Sequence, residues 1–190
     1  NLKTKWVTTN KVVVLLFSLI IVVLTVATYT RNIVWQDALT LWEDVVRKSP
    51  RKARGYHELG LAYLNKEMSE KTINALQTAV KLEPEYLLAH SNLGAAYFKK
   101  GMLDEAIKEM QITLKLGNVN SAATYDIIGA LYYKKGSFDM AIAYFQYALT
   151  LNPDCASTHY NIGIVYESIG LNAEAKEHFG KAHILNPDRY

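Results

Sequence analysis

The sequence predicts an all-α protein: a long apolar helix at the N-terminus, then a right-handed superhelical solenoid of stacked helix pairs. Three observations predict it. The nineteen residues VVVLLFSLIIVVLTVATYT, Val12 to Thr30, carry no charge. From Ala53 onward the chain repeats itself every 34 residues. Within each repeat, small and large apolar residues return in fixed register, and a proline closes most of the units.

The apolar run comes first. Nineteen helical residues span about 28 Å, close to the hydrocarbon thickness of a bilayer. Residues 12–27 are nearly all Val, Leu, Ile, Phe and Ala, with no polar face. Lys3, Lys5 and Lys11 precede the run without an acid among them. The residues after it mix Arg31, Arg47 and Lys48 with Asp37, Glu43 and Asp44. By the positive-inside rule this predicts a membrane anchor with the repeats on the extracytoplasmic side. A cleaved secretory signal would share the basic start, the apolar stretch and Thr25-Val26-Ala27. Burial of the helix in an extracellular surface assembly is the other expected fate.

Residues 31–52 follow as a half repeat. WQDALTLWEDVVRKS aligns with the second helix of the later units, with Ala38, Trp42, Val45 and Pro50 in register. Its missing first helix is expected from the end of the apolar run, which would make residues 1–30 continuous with the solenoid.

Four complete units occupy residues 53–190: 53–86, 87–120, 122–155 and 156–189, with Ser121 as the one insertion. Leu59-Gly60, Leu93-Gly94, Ile128-Gly129 and Ile162-Gly163 recur in register, each followed three residues later by Tyr63, Tyr97, Tyr132 or Tyr166. Position 20 holds Ala106, Ala141 and Ala175, with Thr72 departing; position 24 holds Leu76, Met110, Phe145 and Phe179. Pro84, Pro153 and Pro187 stand at position 32, where Asn118 departs. Gly at position 8 and Ala at position 20 are expected to face each other, letting two antiparallel helices approach closely. Proline ends the second helix. One pair cannot bury its apolar face alone, so pairs must stack.

This pattern resembles the tetratricopeptide repeat (TPR) family over residues 53–189. The resemblance implies that positions 2, 5, 9, 12 and 13 of the first helices line a concave groove. Here that set includes Arg54, His57, Phe98, Lys99, Asp126, Tyr133, Lys134 and Tyr160. Aromatics and lysines on one wall suit a peptide or a partner helix. The carboxylate clamp of some TPR domains needs Asn at position 9, and Leu61, Ala95, Ala130 and Ile164 stand there instead. RNIVWQDALTLWEDVVRKSPRKARGYHELGLAYL also resembles the junction in bacterial membrane proteins related to the transmembrane-and-TPR O-mannosyltransferases. That resemblance implies a last membrane helix running into the array, and it carries over no catalytic residue.

Composition excludes several classes. Lys and Arg number 21 against 18 acids, and the excess of three lies before the repeats, so the body is neutral and has no basic stripe for nucleic acid. A single cysteine, Cys155, rules out a disulfide framework and a Cys-based zinc site. No HExxH, phosphate loop or Ser/His/Asp pattern appears, and neither catalysis, metal nor cofactor is expected. His90 and His159 occupy a packing position and read as core. Tyr86, Tyr133, Tyr144, Tyr147 and Tyr160 do not fit the packing pattern.

The expected function is protein–protein association. In the first reading, extracytoplasmic subunits stack head to tail into a filament. Their open ends would be Trp35 and Trp42 on one side and Phe179, Ile184 and Leu185 on the other, since two different open ends make a non-closing contact. In the second, a membrane-anchored adaptor holds a partner in its groove. In the third, the chain is the C-terminal fragment of a membrane glycosyltransferase.

Overall fold

The computed structural model describes residues 19–29, 37–117 and 121–190; among them every regular element is a helix. The chain divides into two compact units, Asn1–Pro50 and Arg51–Tyr190.

In the first unit, residues 19–29 form helix α1 and Ala38–Lys48 form α2. Side chains of α1 are exposed all round, from Ile20 at 53% to Tyr29 at 67%. With no polar groups to compete, Thr25 and Thr28 turn their hydroxyls back to the carbonyls of Ile21 and Leu24 at 2.7 Å each. Among the described residues no helix is long and apolar enough to cross a membrane. That finding overturns the expected location, membrane-anchored or in an outer-surface assembly. The remainder of the expected apolar helix, residues 12–18 and 30, lies outside the described residues, as does Trp35. Helix α2 starts on Asp37, whose carboxylate accepts from the Leu39 amide, and Asp44 pairs with Arg47 and Lys48 at 2.5 Å near its end.

The second unit is a stack of helix pairs: α3 (Ala53–Asn65) with α4 (Ser69–Leu82), α5 (Leu87–Lys99) with α6 (Leu103–Gly117), α7 (Ala122–Lys134) with α8 (Phe138–Leu151), and α9 (Ala156–Ser168) with α10 (Asn172–Leu185). Ser121, the inserted residue, is the N-cap of α7, its hydroxyl accepting from the Thr124 amide at 3.3 Å.

The glycine at position 8 meets a second neighbour besides the one expected. A Cβ on Gly60 would come within 2.8 Å of Leu76, on Gly94 within 2.7 Å of Met110, and on Gly163 within 2.6 Å of Phe179. The side chain at position 24 thus fills the space over the glycine, while the backbone carbonyl of position 20 lies close by, 3.5 Å (Thr72) and 3.4 Å (Ala106) from such a Cβ in the first two pairs. The alanine buries its methyl beneath, and Ala106, Ala141 and Ala175 are all at most 3% exposed. One core cluster runs through the first three pairs around Leu76, Leu93, Ile107, Met110 and Ile128, and a second joins α8 to α9 through Phe145, Ile162 and Val165.

The turn inside each pair needs a left-handed residue. Gly101, Gly136 and Gly170 supply it at φ of 78–80°, but the first pair uses Glu67 at φ 58°. A side chain in that conformation costs on the order of 1 kcal/mol. Glu67→Gly is therefore expected to stabilise the protein by about 0.5–1 kcal/mol, read as a higher urea midpoint at unchanged slope.

Candidate functional site

The groove forms where the first helices of neighbouring pairs lie side by side, and hydrogen bonds between positions 5 and 6 tie two of its three joints. At the first joint, Asn92 Nδ2 donates to His57 Nε2 at 2.9 Å. At the last, Asn161 Nδ2 donates to Asp126 Oδ2 at 3.3 Å. At the middle joint the same positions are Ser91 and Ile127, and Ile127 has no polar atom to offer. There the two helices leave a cavity of about 350 Å³.

Ala95, Phe98, Ile127, Ala130 and Leu131 give this cavity apolar walls, with Met110 of α6 behind them. Asn92 and Asp126 are its polar edge. Phe98 and Ile127 are 38% and 46% exposed, so the cavity opens to solvent between them. Lys134 sits over the Phe98 ring, 4.8 Å from its centroid.

Of the groove residues read from the sequence, Phe98 and Asp126 line this cavity, and Lys134 lies at its rim. Lys99 and Arg54 are exposed on α5 and α3 and do not line it. Tyr133 is half-buried, its ring 5.9 Å from Phe138 and its hydroxyl 3.1 Å from Ser168 Oγ. One assignment needs correction. His57 is 4% exposed and is no wall residue: Asn92 holds Nε2, and the Tyr86 hydroxyl faces Nδ1 at 3.4 Å. Tyr160, 37% exposed, does not line this cavity; its ring is tilted against Phe179 and Tyr190, with centroids 5.4 and 4.7 Å away.

The ends are partly covered too. Phe179 lies over Gly163 and Tyr160, so of the expected open face at α10 only Ile184, at 77%, and Leu185, at 38%, are exposed. The tail folds back, with the Tyr190 carbonyl 2.9 Å from His183 Nδ1. Trp42 is half-buried within α2.

Sequence reasoning missed Ile127, Ala95 and Ala130 as cavity walls. The available signal was the pair of small residues at position 9 facing each other across a joint that lacks its asparagine. A second opening, about 700 Å³, lies between α6 and α8. There Tyr144 stacks on Tyr132 and Tyr147 on Tyr125, at 5.3 and 5.6 Å, which accounts for two tyrosines that the packing pattern left over.

Asp126 is the site's ionisable group. Its Oδ2 accepts from Asn161, while Oδ1 is buried without a partner. Burial pushes its pKa above the ordinary carboxylate value, against the lowering effect of Thr158 and Asn161. Among the described residues no three His, Cys, Asp or Glu side chains converge as a metal site would require.

The comparisons agree with this architecture. A TPR repeat family model matches residues 70–101 and 129–170, and a tetratricopeptide repeat model matches 156–188. No curated protein matches the sequence. Among solved structures, a crystal structure of MamA is 25% identical, with a TM-score of 0.73 over 80% of this chain and 88% of that one. MamA of Desulfovibrio magneticus RS-1 is 20% identical, with a TM-score of 0.75 over 86% of this chain and 96% of that one. YrrB, described as a TPR protein with an unusual peptide-binding site, is 22% identical, with a TM-score of 0.73 over 85% and 82%. The chain carries tetratricopeptide repeats, and with them the scaffold of a protein–protein interaction module.

Proposed function

We propose that this scaffold holds a segment of a partner protein in the groove at its middle joint. The observation that carries the reading is the solvent-open apolar cavity between α5 and α7, framed by Phe98 and Ile127. An exposed aromatic beside a concavity is the arrangement of an interaction hot spot. The peptide-binding site named for YrrB, on the same fold, supports it.

The test is selection from a random peptide display library on the purified protein, followed by titration of the selected peptides. Phe98→Ala and Ile127→Asp, one emptying the wall and one charging it, are each expected to weaken binding at least ~10-fold. Arg54→Ala, outside the cavity, should leave it unchanged. Peptides that bind all three variants equally would place recognition elsewhere.

Head-to-tail self-association is a second reading. It is favoured by Ile184, 77% exposed on α10, and by the apolar surface of α1. Sedimentation showing the same species in wild type and Ile184→Asp would remove the α10 face from it.

A further inference from the structure

We infer that the middle-joint cavity selects a partner segment carrying a basic side chain, Arg or Lys, and that Asp126 is the residue that reads it. The inference rests on the groove reading above and names the chemistry of its ligand.

The cavity has one ionisable lining residue, Asp126, with Ser91 and Asn92 as its other polar side chains, and hydrocarbon walls that include Ala95, Ile127, Ala130 and Leu131. A long basic side chain has this same division, an alkyl stem and a charged head. Its stem would lie on the alanines and Ile127, and its head would reach the carboxylate at the polar edge. The neighbouring polar groups favour a donor. Asn92 donates one amide N–H to His57 and keeps its oxygen available as an acceptor. Asn161 satisfies one oxygen of Asp126 and leaves Oδ1 buried and unbonded.

An unpaired buried acceptor is costly, and a charged partner removes that cost. Asp126 thus ties α7 to α9 through Asn161 and still carries one oxygen without a partner. The equivalent residue at the first joint, His57, has both ring nitrogens engaged within the protein. The cavity's two nearby lysines do not oppose this choice. Neither Lys99 nor Lys134 lines it, and Lys134 is held over the Phe98 ring. Raised by burial, the carboxyl would return toward its ordinary ionisation when a cation docks, so binding should also strengthen as pH rises through its titration.

The experiment uses the same random peptide library on the full chain. Selected peptides are expected to share an Arg or Lys at one position. Asp126→Asn, which keeps the shape and the Asn161 contact, should weaken them at least ~10-fold, the loss of one charge-assisted hydrogen bond. Should that variant fold poorly, the partner-side change answers the same question: norleucine in place of the shared basic residue, against wild-type protein, is expected to give the same loss. Asp126→Lys should shift the selected residue to Glu or Asp. Peptides enriched only in apolar residues and indifferent to Asp126→Asn would overturn this inference and leave the groove reading standing. Peptides indifferent to Phe98→Ala as well would overturn both.

Discussion

Phe145→Ala is expected to destabilise the protein by about 3–5 kcal/mol, the usual range for truncating a fully buried aromatic. Phe145 is 1% exposed. Its ring lies over Gly129 of its own pair and in the cluster that includes Ile162 and Val165 of the next. Losing it opens a cavity inside one pair and weakens the joint to its neighbour. In a solenoid, where each pair is stabilised only by those beside it, that should uncouple the last pair. Urea unfolding is then expected to show a lower slope or a separate early transition.

The same contact makes Gly129 intolerant. A Cβ there would stand 2.7 Å from the Phe145 ring, with the ring packed and unable to yield freely. Gly129→Ala should cost about 1–3 kcal/mol by overpacking. In the Phe145→Ala background the added methyl meets empty space, so the second substitution should cost far less than in wild type. Strictly additive losses would show that close approach of the two helices is not what keeps glycine at this position.

The fold was legible because it is set by short-range repetition. The 34-residue period places each helix pair, and the large residue at position 24 marks what packs over each glycine. The site was legible only in part. Phe98 and Asp126 follow from their repeat positions, yet His57 shares a repeat position with Asp126 and is buried. The difference is made by the next unit: Asn92 reaches back to a ring that can accept from it. Ile127, which breaks the asparagine pattern, was visible in the sequence as a missing tie. That the missing tie leaves a cavity depends on how two helices separate, which residue types alone do not state.

Acidification is expected to weaken the last pair, and one substitution there should reverse this. In the second pair His90 Nδ1 lies 2.6 Å from the Glu109 carboxylate and Nε2 lies 2.9 Å from the Pro84 carbonyl. The last pair repeats the arrangement with one change. His159 donates from Nε2 to the Pro153 carbonyl at 3.1 Å, and its Nδ1 faces His178 Nδ1 at 3.1 Å, where the second pair has the acid. With Nε2 committed as a donor, His159 Nδ1 is the acceptor, and His178 must donate. Charging both rings would place two cations in contact. Burial holds the pKa of His178 below its ordinary value, and His159 and Lys181 lower it further, while Glu177 acts in the opposite sense; the Tyr166 ring covers its other side at 5.6 Å. Because the folded pKa lies below the unfolded value of about 6.5, the unfolded chain takes up the proton first. The contribution to stability is therefore complete above that value and is lost as pH falls through the folded pKa. His178→Glu would give the last pair the His–carboxylate contact of the second. Its stability should then hold to about pH 4, where the new carboxyl itself protonates. The reciprocal change, Glu109→Leu, removes the partner of His90 Nδ1 at a site only 7% exposed and should cost about 1–3 kcal/mol. Amide exchange along α10, followed from about pH 8 to about pH 5, reads the first effect locally. Equal protection profiles for wild type and His178→Glu would show that the histidine pair does not set the pH response of the last unit.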